Sequence, residues 1–168
     1  MNDFILFGIS VTLGFLAWGA LCYSYIWPRV KVYPISEAAR PLLYLNLFRF
    51  AGASFLIPGV AGPGLQRDFA APGAYGDLIA VALAWAALAL RRRSAGIAAL
   101  WVFNTWGTGD LVYAFYKGLF DPHFHPADLG ATFYIPTVYV PLLLCAHFMI
   151  FVMLLRPASK PISARQLP

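Results

Sequence analysis

Residues 4–27 read FILFGISVTLGFLAWGALCYSYIW, a run of 24 positions without a charged side chain. A transmembrane helix needs about 20 such residues, so this run is long enough to cross a bilayer. It lacks the positively charged start of a signal peptide and exceeds the roughly 7–15 apolar residues that such a peptide carries. We therefore predict a retained transmembrane span that is closed by Pro28.

The composition of the whole chain is that of a membrane protein. Of the 168 residues, 61% are hydrophobic and 11% are charged, whereas a soluble domain is about 25% charged. So few charges cannot surround a water-soluble core of this size. The net charge of +5 would suggest nucleic-acid binding only if it were clustered. The basic residues instead flank apolar segments, so we predict no nucleic-acid partner.

Four further apolar segments are long enough to span. We predict them at residues 41–57, 72–90, 95–116 and 131–155. Asp77 lies inside the third segment, because a helix beginning there would extend only about 20 Å, less than the hydrocarbon core of about 30 Å. The sequence therefore predicts an all-α bundle of five transmembrane helices over residues 1–156, with a disordered tail at 157–168.

The short loops predict the orientation. Nine of the twelve basic residues follow the first, third or fifth segment, and only Arg67 and Lys117 lie in the loops of the other side. Short cytoplasmic loops carry the excess of Lys and Arg. We therefore expect an N-terminus outside the cytoplasm and a C-terminus inside it.

Three charged residues fall within predicted spans: Arg49, Asp77 and Asp110. Each costs about 2.5–3.5 kcal/mol at a helix centre, so each is expected to have a partner or a task. We predict that Arg49 pairs with Asp77 or Asp110, and that these three are the catalytic candidates for general acid–base chemistry. The alternative is an ion-pair clamp that locks the bundle. A glycine precedes each aspartate, in the two motifs beginning at Gly76 and Gly109, and would let a neighbouring helix approach closely.

An aromatic cup is predicted next to these charges. Trp106, Asp110 and Tyr113 are spaced by four and three residues, so they share one helix face. Pro136 and Pro141 should kink the fifth span and expose carbonyl groups there. Such a cup suits a hydrophobic small molecule, a lipid, an isoprenoid or a tetrapyrrole. The candidate ligand-binding residues are Trp106, Tyr113, Asn104, His147, Tyr134 and Tyr139.

One loop has the composition of a metal site. His123 and His125 lie between Asp121 and Asp128, and imidazole with carboxylate binds zinc or copper. The alternative is a proline-punctuated loop without a metal. No other cofactor is assigned, since the sequence contains no P-loop, HExxH, GxSxG or CxxCH pattern.

Three functions fit this pattern. The first is a pocket open to the outer leaflet that binds a hydrophobic molecule, with acid–base isomerase or cyclase chemistry if the protein is an enzyme. The second is an accessory subunit of a membrane complex or a homo-oligomer, docking through the small residues Ala80, Ala84 and Ala87. The third is a proton-coupled small transporter.

Two segments carry a resemblance to known proteins. Residues 101–111, WVFNTWGTGDL, and residues 134–144, YIPTVYVPLLL, resemble segments of small uncharacterised bacterial inner-membrane proteins with five spans. The resemblance implies a multi-pass protein of the inner membrane and no activity. In length, span number and aromatic content the chain also resembles the tryptophan-rich sensory proteins that bind porphyrins and sterols.

Overall fold

The computed structural model describes residues 2–156, and within them it contains helices and no β-strand. We number five helical elements in chain order. They are α1 (Asp3–Val30), α2 (Arg40–Leu47, continued by the 3₁₀ segment Phe48–Leu56), α3 (Arg67–Leu90), α4 (Gly96–Phe120) and α5 (Ile135–Leu154). A single helical turn, Ile35–Ala38, precedes α2, and a 3₁₀ segment, Pro126–Phe133, precedes α5. The predicted disordered tail lies outside the described residues.

Three of the described helices are long and apolar enough to cross a membrane, namely α1, α3 and α5. The first of these begins with a side-chain cap, because the Asn2 side chain accepts a hydrogen bond from the backbone N–H of Phe4. It does not end at Pro28 as predicted. A π-helical turn, Cys22–Ile26, lies just before the proline. Its wider hydrogen-bond pattern accommodates the missing proline N–H, so the helix continues to Val30.

The second predicted span contains two kinds of helix. After Leu47 the chain tightens into the 3₁₀ segment, which rises about 2.0 Å per residue instead of about 1.5 Å. The α-helical and 3₁₀ parts together therefore extend about 30 Å, the thickness of a hydrocarbon core. Residues 41–57 gave no sign of this change. Arg49 lies in the 3₁₀ segment.

The remaining boundaries differ by a few residues. The third helix begins at Arg67 rather than at Pro72, which lies inside it, and Asp77 is within the helix as predicted. The fourth helix continues to Phe120. In its last turn, Lys117 forms an ion pair of 2.6 Å with Asp121, which follows the helix. A hydrogen bond from Lys117 lowers the pKa of the Asp121 carboxyl.

The fifth element is irregular at its start, as its two prolines predict. Its first turn, Ile135–Tyr139, is π-helical, and Pro141 follows at the second position of the regular helix. The backbone carbonyl of Thr137 lies against Gly14 of α1. This close approach helps α1 pack along α5.

The helices form one packed bundle with α3 near its centre. It contacts α4 and both parts of α2, the α-helical part and the 3₁₀ segment. The last helix, α5, contacts α1, α2 and α4. Ala80, Ala84 and Ala87 are at most 1% exposed. The prediction that these alanines form a docking surface for a partner is therefore wrong, because helices of the same chain cover them.

Contacts gather the basic loops at one end, which we call the basic end. Arg92 bonds Glu37 at 2.7 Å, and Arg156 donates to the backbone carbonyl of Lys31. At the other end, the loop end, the N–H of Gly62 donates to the carbonyl of Asp128. The loop before α3 and the loop before α5, which the predicted topology places on the same side of the membrane, therefore lie together.

Candidate functional site

A fully buried guanidinium joins two carboxylates in the interior of the bundle. Arg49 is 0% exposed. Its Nε donates to Asp77 Oδ1 at 2.6 Å and its Nη2 donates to Asp110 Oδ2 at 2.5 Å. The remaining terminal nitrogen, Nη1, donates to the carbonyl of Gly107 at 3.2 Å. The predicted ion pair is therefore confirmed, and Arg49 pairs with both aspartates rather than with one of them.

These contacts tie three elements together. Arg49 comes from the 3₁₀ segment, Asp77 from α3 and Asp110 from α4. Removing one partner of a buried pair leaves an uncompensated charge and costs about 3–5 kcal/mol. We call Arg49, Asp77 and Asp110 the charged cluster. The cluster holds the three elements in one register, and it can form only when they are in that register.

Glycines provide the space that the charged groups occupy. The Asp77 carboxylate lies against Gly52, and the Asp110 carboxylate lies against Gly76, so closely that a methyl group at either glycine would overlap an oxygen. A methyl group at Gly107 would stand 2.5 Å from the His147 ring and 3.0 Å from Arg49 Nη1. The predicted close approach at Gly76 is therefore confirmed.

The same expectation fails at Gly109. No atom lies within 4 Å of the position that a side-chain carbon would take there. The two motifs look alike in sequence, but Gly76 faces the interior of the bundle and Gly109 faces outward. The two motifs therefore have aspartates with the same partner, Arg49, but glycines with different surroundings.

His147 and Asn104 form a second polar pair beside the charged cluster. The Asn104 amide nitrogen donates to the backbone carbonyl of His147 at 3.2 Å, which orients Asn104 Oδ1 toward His147 Nδ1 at 2.7 Å. This arrangement requires the proton on Nδ1. Both residues are fully buried, and His147 Nε2 has no hydrogen-bond partner among residues 2–156. The pair links α4 to α5.

A groove runs along the outward face of α4. The groove is wide and open, and every residue that lines it belongs to α4. Trp106 and Tyr113 are 44% and 49% exposed, and the indole N–H of Trp106 donates to the carbonyl of Gly76. The residues that line the groove are Trp101, Val102, Thr105, Trp106, Gly109, Asp110 and Tyr113.

A smaller cavity lies on the inner side of α4. Its volume of about 40 Å³ has room for about three water molecules, which is too little for a drug-sized ligand. Asp77 and Asp110 contribute the charged part of its lining. Its aromatic walls are Phe7, Phe55, Phe69, Phe115 and Phe124. Asp110 therefore lies between the groove and the cavity and borders both.

The structure divides the predicted ligand-binding residues. Trp106 and Tyr113 line the groove, whereas Asn104 and His147 are buried behind it. Tyr139 donates its hydroxyl to the carbonyl of Leu45, and neither it nor the exposed Tyr134 borders the groove. Sequence reasoning missed four groove residues, Trp101, Val102, Thr105 and Gly109. The i to i+4 spacing of Val102, Trp106 and Asp110 could have shown part of this face.

The predicted metal loop does not assemble a third ligand. Within residues 2–156 no group of three or more His, Cys, Asp or Glu side chains is placed to hold a metal ion. The His125 ring instead packs edge-on against Phe4 at 6.2 Å. The His123 and His125 prediction therefore has no support from the geometry.

A family model described as "Domain of unknown function (DUF8737)" matches residues 6–155. The chain belongs to this family. No curated protein and no solved structure matches the chain. The resemblance to the tryptophan-rich sensory proteins therefore has no support from a solved structure.

The charged cluster predicts a large effect of Arg49→Gln. This substitution leaves two carboxylates without their cation, and we expect it to destabilise the protein by about 3–5 kcal/mol. The measurement is thermal unfolding in detergent. Arg93→Gln, at an exposed position, is the matched control and should change nothing measurable. Adding Asp77→Asn and Asp110→Asn to Arg49→Gln should restore much of the lost stability, and failure of that rescue would contradict the ion-pair account.

The two glycine motifs predict opposite results for one substitution. Gly76→Ala places a methyl group on the Asp110 carboxylate, so we expect it to lower the melting temperature and to separate α3 from α4. Gly109→Ala should be tolerated, because the space beside it is open. Equal melting temperatures for the two variants, measured in the same detergent, would show that the close contact at Gly76 does not form.

Proposed function

We propose that the protein is a five-span protein of a bacterial inner membrane, with its N-terminus outside and its C-terminus inside. Three helices are already long and apolar enough. The second element reaches about 30 Å through its 3₁₀ part, and α4 extends more than 30 Å at about 1.5 Å per residue. The clustering of Arg and Lys at the basic end supports the orientation.

We further propose that the groove on α4 binds a hydrophobic small molecule from the outer leaflet. The observation that carries this proposal is the position of Asp110, which is buried enough to pair with Arg49 and still borders the groove. The groove is mainly apolar with a few polar groups, which is the usual character of small-molecule sites. A lipid, an isoprenoid or a tetrapyrrole would lie along Trp106 and Tyr113.

The geometry favours binding over acid–base catalysis. A general acid must hold a proton that it can deliver to the substrate. Both carboxylates instead accept hydrogen bonds from the same guanidinium, so proton transfer between Asp110 and a substrate would compete with its bond to Arg49. We therefore propose a binding protein, and isomerase or cyclase activity would require Asp110 to leave Arg49 when the ligand enters.

The groove proposal predicts that Gly109→Leu prevents ligand binding without unfolding the protein. The added side chain would fill the open space beside Gly109 and meet no packed neighbour. The measurement is native mass spectrometry of protein purified gently from its own membrane, which counts bound small molecules. Gly8→Leu is the control, since Gly8 is equally open but lies on α1 away from the groove. A ligand retained equally by both variants would place the site elsewhere.

The orientation predicts which loops a membrane-impermeant thiol reagent can reach in intact cells. In a background with Cys22→Ala and Cys145→Ala, we expect Gln66→Cys at the loop end to react. Ser94→Cys at the basic end should react only after the cells are permeabilised. Both positions are exposed, so the reverse pattern would mean the opposite orientation.

A further inference from the structure

The charged cluster contains more negative than positive charge. Arg49 supplies one cation to two carboxylates, and all three of its guanidinium nitrogens already donate hydrogen bonds. Lys117 is the next cation along α4, but it is paired with Asp121 at 2.6 Å. With both aspartates ionised, the cluster therefore carries one negative charge that no cation among residues 2–156 balances.

This excess charge faces the groove through Asp110. The Asp110 side chain is 13% exposed, whereas the Arg49 side chain is 0% exposed, so only the anion reaches the groove. Its second oxygen, Oδ1, lies beside Gly76 and accepts no hydrogen bond within residues 2–156. An anion that borders an apolar groove in a membrane is costly unless a cation or a proton accompanies it.

The aromatic residues beside Asp110 on the same face of α4 suit a cation with a weak hydration shell. Trp101, Trp106 and Tyr113 border the groove around Asp110. The faces of such rings attract ammonium-type cations, and the attraction grows when the cation is desolvated. We propose that the groove binds a lipophilic cation, a molecule with an apolar body and one ammonium- or phosphonium-type charge that sits beside Asp110. This inference rests on the proposed function and names its ligand class.

Two ions of the same shape and opposite charge test this inference. The probes are tetraphenylphosphonium and tetraphenylborate, and their binding is measured by equilibrium dialysis with the protein in phosphatidylcholine nanodiscs. Binding to empty nanodiscs of the same lipid is subtracted. We expect saturable, protein-dependent binding of the cation and none of the anion. Asp110→Asn should weaken cation binding at least tenfold, while Asp110→Glu retains it in part.

Controls separate a failure of this inference from a failure of the proposed function. Asp68→Asn removes an exposed carboxylate at the start of α3, outside the groove, and should leave cation binding unchanged. Gly109→Leu should abolish binding in a protein that remains folded by circular dichroism. If both ions bind equally and Gly109→Leu removes both, the groove binds hydrophobic molecules without selecting charge and this inference is wrong. If neither ion binds and the purified protein contains no small molecule, the groove proposal is wrong as well.

Discussion

The buried guanidinium of Arg49 is the constraint on which the rest of the structure depends. A charge in the interior of an apolar bundle is tolerated only when partners surround it. Asp77 and Asp110 provide the opposite charges, and the carbonyl of Gly107 accepts the last hydrogen bond. Because these partners come from α3 and α4, the two helices and the 3₁₀ segment must pack at one fixed register. Gly52, Gly76 and Gly107 then follow as the positions where the charged groups need space.

The 3₁₀ segment affects both the length of the second element and the contacts that it makes. Its larger rise lengthens this short element to about 30 Å. The segment also supplies both Arg49, which contacts the two aspartates, and Gly52, which makes room for the Asp77 carboxylate. A run of 3₁₀ helix this long is uncommon.

Burial of charge could be predicted from the sequence, but packing detail could not. Arg49, Asp77 and Asp110 were recognisable because a charged residue in an apolar segment needs a partner. The location of Asp77 inside α3 followed from helix length alone. Gly76 and Gly109, by contrast, have the same local sequence and different surroundings, because the direction a residue faces depends on neighbouring helices. The extent of the groove was missed for that reason, since Val102 and Thr105 have no chemical signal of their own.

The two aspartates have different parts, although the sequence presents them as equivalents. Asp77 is enclosed between Gly52 and Arg49, so its charge serves mainly to hold α3 against the 3₁₀ segment. Asp110 makes the same kind of bond and yet borders the groove. The two side chains are almost equally exposed, 11% for Asp77 and 13% for Asp110, so they differ in what they border and not in how far they are buried. An anion that borders an apolar groove has a cost, and either a proton on Asp110 or a cation in the groove would offset it.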